Sequence, residues 1–247
     1  MPRQKFVQIE SKNAILEMLQ EGKPIDRLYI ALNAYKDPKT REIVELARKN
    51  GVEIIDVSRK SLNRITRTGS IESVVAMTKA ENQWGLRELL DKIHTEGLQP
   101  FFILLDHLKY EQNIGALKRT AYAAGVNGII TPVSRDSFIT TEAIRISMGA
   151  ALRIPIVEMS LFESLKELKR DGVKVLCVTM DGTSHFQTDL KGPIAFVLGA
   201  EDVGISTKML EKSDGKVSIP MREGIGSLNV AASAAIICYE KLRQEVA

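Results

Sequence analysis

The chain has 247 residues, which is long enough for one large domain or for two domains of ordinary size. About 44% of the residues are hydrophobic and the formal net charge is only +3, so we expect a folded globular protein that tolerates an anionic partner without requiring one. Apolar runs stay short of the ~18 residues that a membrane-spanning helix needs, and the N-terminus lacks the apolar core of a signal peptide.

The cysteines and histidines give no sign of a metal centre or a disulfide framework. Cys177 and Cys238 both lie in apolar runs, which is typical of reduced core thiols in a cytoplasmic protein. The three histidines are not spaced like metal ligands. We therefore expect a cytoplasmic protein without a metal cofactor.

The first 80 residues alternate between helical and strand patterns. Apolar residues recur at helical spacing in three segments, and Ser11 is a candidate N-cap for the first of them. We predict helices over residues 11–22, 38–50 and 58–66, and strands over residues 27–31, 52–57 and 73–77. This pattern predicts a compact α/β domain over residues 1–80, followed by a linker over 81–99 that contains a helix at 86–95.

Three cations stand out near the end of this first domain. Lys60, Arg64 and Arg67 recur at spacings of four and three, which would bring them to one face of a helix. They could form an ordinary solvated surface or a face that binds RNA phosphates. No aromatic residue accompanies them, so the sequence does not support base stacking there.

From Pro100 onwards the pattern changes to short apolar strands that alternate with helices. The strands are predicted at residues 101–105, 128–131, 156–158, 173–180, 194–198 and 216–219. The helices between and after them are predicted at residues 116–124, 140–148, 161–170 and 227–242. Such alternation predicts an α/β domain over residues 100–247 with a mostly parallel sheet, whose ligands bind at the carboxyl ends of the strands.

Two glycine-containing turns at those strand ends resemble nucleotide-binding motifs without matching them. Gly199 to Ser206 has Ile205 where a P-loop needs its lysine, and two acids lie inside the loop. Gly224 to Asn229 lacks the third glycine of a dinucleotide fingerprint, and too little chain follows to form the strand that would bind the ribose. Both an NTPase and a Rossmann dehydrogenase are therefore excluded.

Polar residues recur at the strand-to-helix turns of the predicted sheet. Asn113 and Gly115 occupy the turn after the strand at 101–105, and Arg119 follows one helical turn later. Taken alone, this segment could be a capped helix with a solvated arginine. Glu201, Ser227 and Asn229 lie at the other turns of the same sheet, and this joint occurrence favours a catalytic site.

Three segments in the second half resemble, in order, the motifs of the SpoU (TrmH-type) RNA ribose 2′-O-methyltransferases, which belong to the knotted SPOUT class. They read N-I-G-A-L-K-R-T-A, F-V-L-G-A-E-x-x-G-I-S and I-P-M-x-x-x-x-x-S-L-N-V-A-x-S-A-A-I. Residues before about 80 are more weakly similar to the ribosomal-protein-like RNA-binding domain that often precedes this catalytic domain. The family's His-Gln-Gly is replaced there by Ser70-Ile71-Glu72.

The resemblance implies a C-terminal trefoil knot that binds S-adenosylmethionine. By carry-over, the residues that would hold this cofactor are Thr179, Leu198, Gly199, Ile219, Met221 and Leu228. Arg119 would lie beside the target 2′-hydroxyl, either as its general base or as an electrostatic clamp on the RNA. Glu201 would orient Arg119 or the cofactor, and the nucleotide would be positioned by Asn113, Ser227 and Asn229.

The family also implies structured RNA as the partner and a homodimer whose interface uses the C-terminal helix. The two-domain layout favours 23S ribosomal RNA as the substrate, with a guanosine as the modified nucleotide. Transfer RNA is the alternative substrate, and methylation for antibiotic resistance is an alternative role. A non-catalytic RNA-binding protein is the alternative from another class of function.

Overall fold

The structure is a computed structural model that describes residues 6–67, 72–79, 83–108, 111–133, 140–200, 203–223 and 226–246. The chain divides into two compact units. The first comprises Met1–Glu81 and Ser137–Leu152, and the second comprises Asn82–Asp136 and Arg153–Ala247. A segment from the second half of the chain therefore belongs to the first unit.

The described residues form ten strands and nine α-helices. The strands are β1 (Phe6–Ile9), β2 (Arg27–Ala31), β3 (Glu53–Val57), β4 (Val74–Lys79), β5 (Phe101–Asp106), β6 (Gly128–Thr131), β7 (Ile156–Glu158), β8 (Lys174–Ser184), β9 (Ile194–Gly199) and β10 (Gly215–Ser218). The helices are α1 (Lys12–Gln20), α2 (Pro38–Lys49), α3 (Arg59–Ile65), α4 (Leu86–Thr95), α5 (Glu111–Ala123), α6 (Thr141–Ile146), α7 (Leu161–Arg170), α8 (Thr207–Lys212) and α9 (Val230–Val246). Short 3₁₀ turns lie at Ala34–Lys36 and Ala150–Leu152.

The first unit has a four-stranded mixed sheet in the order β1-β4-β2-β3, in which only β2 and β3 run parallel. Side-chain caps begin its helices, because the Ser11 hydroxyl accepts a hydrogen bond from the backbone N–H of Ala14 and Asp37 does the same for Thr40. These caps confirm the predicted helix starts. Strand β1 was not predicted, since its four residues become a strand only by pairing with β4.

Helix α6 packs against β1 and so completes the first unit. It ends at Ile146, two residues earlier than predicted, because Met148 and Gly149 both adopt left-handed backbone conformations with φ of 53° and 90°. A methyl group on Gly149 would approach the Cβ atom of Ala14 to 3.1 Å. The glycine thus allows the chain after α6 to pass close to α1.

The second unit has a six-stranded sheet in the order β10-β8-β9-β5-β6-β7, and every pairing in it is parallel. This confirms the predicted α/β fold with a parallel sheet. All six residues of β5 are buried, as an apolar strand covered on both faces requires. Helices α4, α7 and α8 bury apolar side chains in one core with the sheet, while α5 packs against α9. The trefoil knot stays a prediction.

Several elements of the second unit differ from their predicted bounds. Strand β8 continues to Ser184, because its end pairs with β10 beyond a register shift at Lys216. Helix α5 begins at Glu111, so Asn113 and Gly115 lie inside the helix and not in the turn before it. Both residues are weak helix formers, and here the packing of α5 on α9 overrides that preference. The short helix α8 was not predicted.

Candidate active site

A cavity of about 320 Å³ opens where β8, β9 and β10 end at their carboxyl sides. Its walls include Val178, Met180, Gly204, Ile205, Leu210, Ser227, Val230 and Ser233. They also include all six residues that the sequence predicted to bind the cofactor, namely Thr179, Leu198, Gly199, Ile219, Met221 and Leu228. The structure therefore brings these six residues together, and their role as cofactor ligands stays a prediction.

The turn after β9 folds back tightly onto its own strand. A Cβ atom on Gly199 would lie 2.3 Å from the backbone carbon of Gly204, so no side chain fits at that position. The two ends of the turn are joined by the Gly204 N–H, which donates to the Ala200 carbonyl at 2.8 Å. Gly204 itself has a left-handed φ of 72°. Backbone atoms therefore form this part of the cavity wall.

Asp106 anchors the same turn from the end of the neighbouring strand β5. Its carboxylate is 2% exposed and accepts a hydrogen bond from the Ser206 N–H at 2.8 Å, while its carbonyl accepts from the Ala200 N–H at 3.0 Å. The carboxylate also contacts the His107 ring nitrogen at 2.6 Å. Asp106 was not predicted from the sequence as a site residue, although an acid that ends an otherwise apolar strand is a usable signal.

The Thr179 hydroxyl oxygen is the one buried side-chain polar atom without a hydrogen-bond partner among the described residues. The pKa of the nearby Asp181 carboxyl is lowered first by Lys216, whose ammonium donates to it at 2.7 Å, and then by the Thr179 hydroxyl. That second interaction lies outside hydrogen-bond geometry. A buried hydroxyl left in the wall of a cavity is well placed to pair with a polar group of a ligand.

Asn113 and Asn229 meet although they are 116 residues apart in sequence. The Asn229 amide donates to the Asn113 side-chain oxygen at 2.9 Å, while its own oxygen accepts from the Ala231 N–H at 2.9 Å. Asn229 therefore caps α9 and ties it to α5. The first and third sequence motifs thus form one substructure.

Arg119 is exposed on α5, and it forms no ion pair or hydrogen bond with the residues that the structure describes. It follows Asn113 by six residues, which is about 9 Å along the helix axis. Ser227 lies in the cavity wall just before α9. Glu201, the remaining predicted catalytic residue, lies outside the described residues.

Lys118, the neighbour of Arg119, is fully buried in the second unit. Burial lowers the pKa of its ammonium group from 10.5 to about 7, and the Glu158 carboxylate opposes this shift. This burial was not predicted from the sequence, because a lysine beside an arginine usually belongs to a solvated face. Burial therefore places a titratable group inside the second unit, next in sequence to Arg119.

The three predicted RNA-binding cations of the first unit are all exposed. Lys60 and Arg64 lie four residues apart on α3, as expected. Arg67 lies beyond the helix, which ends at Ile65, so it does not extend the helical face. Its backbone N–H donates instead to the Glu10 carboxylate at 2.6 Å. Of the Ser70-Ile71-Glu72 segment, only Glu72 lies within the described residues.

Two family models match this chain. The model of the SpoU rRNA methylase family matches residues 100–239, and the model for RNA 2′-O ribose methyltransferase substrate binding matches residues 9–84. No helix in the described ranges is long and apolar enough to cross a membrane.

Individual proteins agree with these matches. The chain is 33% identical to a TrmH-family tRNA/rRNA methyltransferase homologue of Bacillus subtilis, over 94% of each chain. It is 34% identical to a 23S rRNA (guanosine-2′-O-)-methyltransferase of Ralstonia nicotianae, over 91% of this chain and 90% of that protein. The fold also matches the crystal structure of the SpoU methyltransferase AviRb from Streptomyces viridochromogenes in complex with AdoMet, with a TM-score of 0.80 and 24% identity over 97% of this chain and 90% of that chain. The chain therefore belongs to the SpoU (TrmH-type) family of RNA methyltransferases.

Proposed function

We propose that the protein methylates a ribose 2′-hydroxyl of 23S ribosomal RNA, with S-adenosylmethionine as the methyl donor. One observation carries the choice of substrate. The relative named as a 23S rRNA guanosine-2′-O-methyltransferase is similar over 91% of this chain, a span too long to fall within the catalytic range or the substrate-binding range alone. Transfer RNA is the second candidate, since the Bacillus relative is named for both RNA classes.

The cavity at the ends of β8, β9 and β10 fits S-adenosylmethionine in size and chemistry. A volume of about 320 Å³ lies within the range of small-molecule sites. Apolar side chains line most of it, while the free Thr179 hydroxyl offers a polar contact for the adenosine or amino-acid part of the cofactor. The bound cofactor supplies a methyl group on a sulfonium. Residues proposed to hold it are Thr179, Leu198, Gly199, Ile219, Met221 and Leu228.

Arg119 acts in this proposal as an electrostatic clamp. The attacking 2′-hydroxyl must lose its proton during methyl transfer, and negative charge develops on its oxygen. A guanidinium with a pKa above ~12 is a poor base, whereas it binds phosphate and stabilises an alkoxide well. Its exposure and the absence of an ion-pair partner in the described part of the chain leave it available to RNA.

The other predicted catalytic residues position the nucleotide. The Asn113–Asn229 hydrogen bond holds the start of α9 against α5, and therefore keeps the Ser227 turn and the Arg119 helix in a constant relation. Precise orientation of reactants contributes much of the rate in transfer reactions. Ser227 would contact the nucleotide beside the cofactor, and Glu201 would orient Arg119.

A homodimer through α9 is part of the same proposal. This helix exposes large apolar residues at helical spacing, namely Ile236, Tyr239, Leu242 and Val246. Tyr122 on α5, which packs against α9, is also exposed. An apolar face of this kind favours a protein interface. Analytical ultracentrifugation tests it, and a monomer at micromolar concentration would refute the dimer.

Methyl transfer from labelled S-adenosylmethionine tests the function directly. Unmodified 23S rRNA and unmodified transfer RNA are supplied separately, and the labelled nucleotide is mapped. We expect label on a single ribose of 23S rRNA. Label on transfer RNA alone would reverse the choice of substrate. Absence of transfer together with absence of cofactor binding would favour a non-catalytic RNA-binding protein.

A further inference from the structure

A second groove, with a volume of about 470 Å³, lies between α7 and α8 of the second unit. Its lining residues are Phe162, Leu165, Lys166, Lys169, Arg170 and Lys212. Lys208 on α8 reaches the same aromatic ring. We call this surface the α7–α8 groove. Neither the predicted catalytic site nor the predicted cofactor site includes any of these residues.

Two lysines from different helices converge on one aromatic ring in this groove. The ammonium of Lys166 lies 4.4 Å from the centre of the Phe162 ring, and that of Lys208 lies 3.9 Å from it. The ring attracts each ammonium, but the two like charges repel each other. An anion bound near both ammonium groups would offset this repulsion. The arrangement thus favours a negatively charged ligand.

Carboxylates neutralise little of this charge. Lys169 pairs with Asp214 at 2.6 Å, whereas Lys166, Arg170, Lys208 and Lys212 form no ion pair with the residues that the structure describes. The neighbouring acids, Glu163 and Glu167 of α7 and Glu211 of α8, form no ion pair with these four cations within the described ranges. The groove side of α7 is therefore positive.

Helix α8 separates the groove from the cofactor cavity. Leu210 lines the cavity, while Lys212 lines the groove from the other side of the same helix. A helix with its side chains is about 10–12 Å across. A nucleic-acid strand with one ribose at the cavity can therefore reach the groove with its flanking phosphates.

We infer that the α7–α8 groove binds the phosphate backbone of the RNA that flanks the target nucleotide. Lysines at this spacing neutralise phosphates without reading the base sequence, and counterion release drives such binding. Phe162 holds two of the ammonium groups in place, which lowers the entropy lost when phosphate arrives. This inference rests on the proposed function in RNA methylation.

The test compares a groove variant, Lys166→Gln/Lys212→Gln, with a control variant, Lys174→Gln/Lys191→Gln. The control lysines are also exposed, and neither of them lines the groove. Both variants lose two positive charges, so a general change in net charge affects them equally. Affinity for an unmodified 23S rRNA transcript is measured as a function of salt, together with KM and kcat for methyl transfer.

We expect the groove variant to bind the transcript about tenfold more weakly and to lower the slope of log affinity against log salt by about 1.4 to 1.8. The KM for RNA rises while the KM for S-adenosylmethionine and the kcat stay constant. Lys166→Arg/Lys212→Arg should restore the affinity. Unchanged RNA affinity, or an equal loss in the control variant, would overturn the inference. Because binding is measured directly, this result stands apart from any failure to detect methyl transfer.

Discussion

The cavity at the carboxyl ends of β8, β9 and β10 and the α7–α8 groove lie on two sides of helix α8 and are built in opposite ways. Backbone turns and buried side chains form the cavity, and at Gly199 even one added methyl group would collide with the chain. Exposed lysines around one aromatic ring form the groove. Methyl transfer depends on atomic positions, whereas phosphate binding depends mainly on charge. A single substitution should therefore strongly reduce cofactor binding or methyl transfer at the cavity, but only partly weaken RNA binding at the groove.

Arg119→Ala should lower the rate of methyl transfer more than any of the single substitutions below. If the guanidinium stabilises charge that develops in the transition state, its loss lowers kcat by about 10²–10³-fold while S-adenosylmethionine still binds. Calorimetry of cofactor binding and single-turnover methyl transfer measure the two effects. Arg119→Lys keeps the charge without the planar fork and should recover only part of the rate. Near-normal turnover of the alanine variant would contradict the assigned role.

Lys118 is buried, unlike the exposed groove lysines, and its ammonium should make the stability of the protein depend on pH. The pKa of its ammonium is about 7 in the folded chain and near 10.5 when unfolded, so between these values the unfolded chain binds more protons. The free energy of unfolding should gain a few kcal/mol from this group as pH rises from about 7 to 10, with the full penalty present below pH 7.

Denaturant unfolding of Lys118→Met at several pH values checks this expectation. The variant should lose that part of the pH dependence, so its curve and that of the unmodified protein differ in slope above pH 7. Lys166→Gln, which removes an exposed lysine from the groove, serves as the matched control for the loss of one positive charge. Parallel curves for Lys118→Met would show that the buried ammonium does not titrate in this range.

Gly199→Ala tests the rigidity of the cavity wall. The added Cβ would meet the Gly204 backbone at 2.3 Å, so the turn must shift at a cost of about 1–3 kcal/mol. We expect S-adenosylmethionine to bind at least about tenfold more weakly. Gly215→Ala is the matched control, because its Cβ would meet only a Leu176 methyl group at 3.4 Å. Equal cofactor affinity of the two variants would argue against a rigid wall.

Removal of the hydrogen bond between Asn113 and Asn229 should lower kcat and stability less than the changes above. Asn229→Ala removes the cap of α9 and should lower stability by about 1 kcal/mol, whereas Asn113→Ala keeps the cap. A double-mutant cycle isolates the contact between them. We expect both single variants to lower kcat by a similar factor and the double variant to add little. Additive losses would mean that the two residues act independently.

Local patterns predicted the elements with strong end signals. Helix α7 and strands β6 and β7 have the predicted bounds, because apolar spacing and flanking turn residues define them without distant contacts. Strand β1 and helix α8 were missed. Each is short, and each is stabilised by partners far away in sequence, β4 for the strand and the core around Met209 for the helix. Propensity carries little information over four to six residues.

The candidate site likewise has parts that were predicted from the sequence and parts that were not. The resemblance to the family singled out six residues, and the structure shows that all six line the cavity at the carboxyl ends of β8, β9 and β10. Only the tertiary structure decided that Asn229 bonds Asn113, that residues 140–152 join the first unit, that Lys118 is buried and that lysines of α7 and α8 share Phe162. Each of these depends on contacts between segments distant in sequence, and hydrophobic periodicity specifies the buried face of a segment without naming its partner.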